Sequence, residues 1–69
     1  MNINIRIRTA IENILANSRR PIESRRLARA LARRFGTSIY RIWGNISFMK
    51  KTGRLTFRVR VKNGPSYIV

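Results

Sequence analysis

The sequence predicts an α+β domain of three helices followed by a C-terminal β-hairpin. Three observations predict it. Apolar residues recur at helical spacing through most of residues 7–49, Pro21 and Gly36 punctuate that stretch, and beyond Gly53 the apolar period changes to two. Sixty-nine residues allow a single domain, 1–69, with one small core. A chain this short buries only about 60% of its unfolded surface. It has no cysteine with which to make a disulfide, so an oligomer is the expected source of further burial.

At the N-terminus, Ile3, Ile5 and Ile7 alternate with Asn4, Arg6 and Arg8. A period of two reads as a half-buried strand, so residues 1–7 are expected to form an N-terminal strand or arm, although the C-terminal part of so short a segment equally suits the first turn of a helix. From Ile7 onward Ile11, Ile14 and Leu15 follow at i+4, i+7 and i+8, which predicts a first helix over about 8–17. Pro21 forbids its continuation. "PIES" reads as a short extended piece, with Ser24 or Glu23 as the cap of a second helix over about 25–35.

That second helix, "RRLARALARRF", is built from strong helix formers. Leu27, Ala28, Leu31 and Phe35 form its apolar stripe, and Arg25, Arg26, Arg29 and Arg33 fall outside it. Gly36 stands where a positive φ ends a helix, and Thr37 or Ser38 caps a third helix over about 38–50. After Gly53, Leu55, Phe57, Val59 and Val61 alternate with Arg54, Thr56, Arg58, Arg60 and Lys62, a strand with one basic face. "KNGPS" is a turn, loosened by Pro65 into a loop of four or five residues, and "YIV" returns as the second strand.

Charge narrows the function. Thirteen arginines and three lysines stand against Glu12 and Glu23, for a net charge of +14. Such self-repulsion opposes folding unless a polyanion relieves it. The preference for Arg suits bidentate contact with phosphates and base edges. With no His and no Cys, the usual nucleophile–base pairs and zinc sites are missing, so no catalytic residue, metal, cofactor or small-molecule ligand is expected. No apolar run approaches the ~20 residues of a membrane span, and "MNINIRIR" lacks the apolar core of a signal peptide. A cytoplasmic protein, nucleoid-associated if prokaryotic, is the expectation.

Over 37–51 a wheel at 100° per residue separates two sides. Ile39, Ile42, Trp43, Ile46 and Met49 cluster on one; Tyr40, Arg41, Gly44, Ser47, Phe48 and Lys51 lie opposite. The stretch "LARRFGTSIYRIWGNI", with Ala32 and Gly36 at the spacing of a close-packed helix turn, followed by a basic hairpin, resembles a winged helix-turn-helix domain. The resemblance spans almost the whole chain. It implies that the third helix enters the major groove of double-stranded DNA while the wing, 54–69, follows the backbone or the minor groove.

On that reading Thr37, Ser38, Tyr40, Arg41, Gly44, Ser47 and Lys51 form the DNA-facing set. Arg41 suits a guanine, and Tyr40 a phosphate or a thymine methyl. Arg25 and Arg26 reach phosphate from the first turn of the second helix. Arg58, Arg60, Lys62 and Asn63 do so from the wing, while Arg19 and Arg20 neutralise the backbone in general. Phe48 either packs beneath the wing or faces a base, and Gly44 is either tolerated or lets the helix approach the groove without a Cβ.

The function expected is therefore a small transcriptional regulator. Alternatives are an architectural or excision- and partition-type DNA binder, a ribosomal-type binder of structured RNA, or a basic module docking on an acidic protein. A homodimer through the N-terminal strand is the expected assembly. "NINIRIR" also resembles the ribbon-helix-helix pattern, in which Asn2, Asn4, Arg6 and Arg8 are the readers.

Overall fold

The computed structural model describes residues 2–55, 57–59 and 66–68, the last residues of the middle group (57–59) through their backbone alone. Three helices come first: α1 (Ile3–Ala16), α2 (Ser24–Phe35) and α3 (Ile39–Lys51). The strands are β1 (Ile22–Glu23), between α1 and α2, and β2 (Phe57–Val59) and β3 (Ser66–Ile68), after α3. The class is α+β, as expected.

The N-terminal segment departs from expectation. Residues 3–7 are not a strand or arm but the opening turns of α1, which starts at Ile3 rather than near residue 8. Asn2 decides this locally: its backbone is extended and its side chain accepts the Asn4 N–H at 2.9 Å, satisfying one of the donors that a helix start leaves open. Ile3 and Ile7 are one turn apart as well as two pleats apart, so they satisfy both periods. Ile7 is fully buried, whereas Ile5, the residue that completed the alternation, is 49% exposed. A dimer paired through that strand, or a ribbon reading DNA with it, therefore has no strand to use.

The turn between α2 and α3 forms as its residues dictate. Gly36 has φ 60 and ψ 40, the left-handed conformation in which a Cβ is costly. Its N–H and that of Thr37 turn back to the last carbonyls of α2, Thr37 N donating to Ala32 O at 3.0 Å. Ser38 then caps α3, its hydroxyl accepting the Arg41 N–H at 3.3 Å.

Neither Ser24 nor Glu23 caps α2 with its side chain. Glu23 occupies the cap position without a side-chain bond. The Ser24 hydroxyl, 1% exposed, instead bonds to the hydroxyl and carbonyl of Ser66 in β3, 42 residues away. A tertiary partner has won over the local one.

The antiparallel sheet has the order β1-β3-β2, with β3 in the middle. Ile68 lies opposite Ile22 on one side and Phe57 on the other. The short extended piece at 22–23 thus joins the C-terminal pair as a third strand. Ile68 then enters the same core as Ile7, Ala10 and Ile11 of α1, Leu27, Ala28 and Leu31 of α2, Ile42, Ile46 and Met49 of α3, and Leu55. Ile39, Trp43 and Phe35 pack at its margin, only partly buried.

Candidate nucleic-acid interface

α3 is anchored by Ile42, Ile46 and Met49, each at most 1% exposed. That anchoring fixes which residues face away. Tyr40 is 82% exposed, and Arg41, Gly44, Ser47 and Lys51 are exposed with it. The structure therefore brings these five together on one side of one helix. Ser38, also exposed, stands at the helix start with its hydroxyl engaged as the cap, and Thr37 is half-buried in the turn.

On this side a hollow of about 610 Å³ is bounded by Gly44, Ser47, Phe48, Lys50 and Lys51. Nothing lies within 4 Å of where a Gly44 Cβ would project. Space inside the fold therefore does not require glycine there.

Arg25 and Arg26 are exposed in the first turn of α2, and Arg29 and Arg33 continue the exposed row along the same helix. No acidic residue occupies the first turn of any of the three helices. Arg58 lies in β2, its backbone opposite Tyr67, but its side chain is outside the described residues, as are Arg60, Lys62 and Asn63. Among the described residues one ion pair forms, Arg54 to Glu12 at 3.4 Å, with both side chains more than half exposed. Two carboxylates cannot neutralise sixteen cations, so the field of the chain stays strongly positive.

The structure adds a residue the sequence did not single out, Asn45, and ties it to Asn4 and Arg8, which had a role only in the ribbon reading. Asn45 lies on the inner side of α3, 4% exposed, among Ile42, Ile46 and Met49. Its amide is fully engaged: Nδ2 donates to Arg41 O at 2.9 Å and to Asn4 Oδ1 at 3.1 Å, and Oδ1 accepts from Arg8 Nε at 2.9 Å. Arg41 Nη1 also donates to Asn4 Oδ1, at 3.3 Å. The Arg8 guanidinium carbon lies 4.0 Å from the centroid of the Phe48 ring. Phe48, 44% exposed, is thus covered on one face by an arginine of α1.

One signal pointed here. Asn45 falls beside Met49 at the margin of the apolar arc of the α3 wheel, and a buried polar side chain demands a partner. That the partners are Asn4 and Arg8, one turn apart on α1, became visible only once α1 began at Ile3.

No helix among the described residues is long and apolar enough to cross a membrane. No family model, curated protein or solved structure matches the chain, so the site alone carries the functional reading.

Proposed function

We propose that this chain is a double-stranded DNA-binding protein of winged helix-turn-helix type, acting as a small transcriptional regulator. α3 reads the major groove, and the segment 54–69 follows the backbone or the minor groove as a wing. The observation that carries the reading is the two-sidedness of α3 in a chain of net charge +14: one side is locked into the core, and Tyr40, Arg41, Gly44, Ser47 and Lys51 are turned outward. The element order and the α2–Gly36–α3 turn support the winged-helix assignment, as does the sheet order β1-β3-β2.

Major-groove entry uses the outward side of α3. Arg41 and Tyr40 act near its start, and Lys51 reaches phosphate at its end. Arg25 and Arg26 meet phosphate beside the open N–H groups of the first turn of α2, where a bound anion also relieves their conflict with the helix dipole.

The test is a mobility-shift titration with duplex DNA competed by heparin. Selective binding of duplex supports the reading, and equal affinity for both polyanions rejects it. Exposed arginines also run along α2 at Arg29 and Arg33, beyond the first turn, which favours an architectural role as a second reading. A footprint separates the two: a regulator protects one short site, whereas an architectural protein spreads onto neighbouring sequence.

A further inference from the structure

We propose that Arg8, on α1, is a base-reading residue: α3 holds its guanidinium as a preset fork for the O6/N7 edge of a guanine. This rests on the duplex-DNA reading above and adds a reader from outside the third helix.

The restraints on Arg8 are specific. Its Nε donates to Asn45 Oδ1 at 2.9 Å, and one face of its guanidinium lies on Phe48, 4.0 Å from the ring centroid. Asn45 is itself buried and held by Arg41 O and Asn4 Oδ1, so it cannot turn away without breaking further bonds. A guanidinium has five N–H donors, and the Nε bond uses one of them. The remaining four are on Nη1 and Nη2, and neither atom meets an acceptor among the described residues.

Other arginines of the fold are held less firmly. Arg6 and Arg34 lie 6.0 and 5.7 Å from the Phe35 ring and make no side-chain hydrogen bond among the described residues. Arg41 has Nη1 engaged with Asn4.

Among the described residues no opposite charge explains the arrangement. Arg8 is half-buried yet touches no carboxylate among the described residues, since Glu12 pairs with Arg54 and Glu23 lies in β1. A partly desolvated cation held by an amide and a ring keeps its need for an acceptor pair. Phosphate would accept from a mobile arginine equally well, so a fixed orientation adds little there. Guanine, whose O6 and N7 demand one plane and one direction, rewards it. The position fits: Phe48 and Arg41 share the flank of α3 that meets α1, next to the outward side.

The experiment selects duplexes from a randomised library with the wild-type protein. It then replaces each guanine of the selected site in turn by 7-deazaguanine, which keeps pairing and removes the N7 acceptor. The expected result is a guanine, separate from any read by Arg41, at which the replacement weakens wild-type binding about tenfold. Arg8→Lys, which keeps the charge and can still reach N7 but lacks the planar fork, should show a clearly smaller loss at that guanine while its salt slope stays unchanged. Phe48→Leu should reduce the sensitivity at that guanine and at no other. If Arg8→Lys has lost helix content by circular dichroism, Phe48→Leu carries the test.

The proposal is overturned if the selected sites hold no guanine sensitive to the replacement, or if Arg8→Lys keeps every sensitivity of the wild type. It is also overturned if Arg8→Ala weakens all duplexes alike and lowers the salt slope by about one, the mark of a phosphate contact. A wild-type protein without preference for duplex over heparin rejects the DNA reading itself, a result independent of any Arg8 variant.

Discussion

Gly44 is the residue whose substitution separates folding from binding most cleanly. It is exposed, and an added Cβ meets nothing within 4 Å. Alanine is preferred to glycine inside a helix by about 1 kcal/mol. Gly44→Ala should therefore raise the stability of the free protein by up to that amount, measured by urea denaturation. The same methyl group projects from the proposed groove-facing side, so duplex affinity should fall; unchanged affinity would mean that glycine is merely tolerated there. Asn45 behaves in the opposite way. Asn45→Ala removes the acceptor of Arg8 Nε and two donated bonds at a buried site, and should cost about 1–3 kcal/mol in the same denaturation experiment.

At the scale of the element, the ends of the helices carry the information. Asn2→Ala removes the side-chain cap of α1 and should cost about 1 kcal/mol, with fraying of the first turn visible as faster amide exchange there. Gly36→Ala places a Cβ on a left-handed residue and should cost about 1–2 kcal/mol. Both ends are local devices, but they were not equally legible. Gly36 followed an unbroken helical stripe, so its role was plain. Asn2 preceded isoleucines that satisfied two periods at once, and the alternation concealed the cap. β1 shows the other limit: two residues, Ile22 and Glu23, become a strand because β3 offers them a partner.

Across the whole molecule, one small core joins three helices to the sheet, and repulsion among sixteen cations opposes it. Ile46→Ala, at a side chain 1% exposed, should cost about 2–5 kcal/mol, enough to unfold much of a domain of this size at room temperature. Salt should act with opposite signs on the two properties. Screening weakens the self-repulsion, so the melting temperature of the free protein should rise between low and physiological ionic strength. Duplex affinity should fall over the same range, with a slope of about −0.9 per phosphate neutralised. A melting temperature that falls with added salt would contradict the account of the charge.

What could be read along the chain was whatever is settled within one or two helical turns. α2, the Gly36 turn, the Ser38 cap and the two sides of α3 depend on propensity, capping and periodicity among near neighbours. Contacts distant in sequence needed the fold. Ser24 left its own helix start for Ser66, 42 residues on, and Arg8 met Asn45 across 37. Those pairings follow from how α1 and β3 dock on a shared core. The energy of a buried polar contact depends on which partner the packing delivers, and no local pattern encodes that delivery.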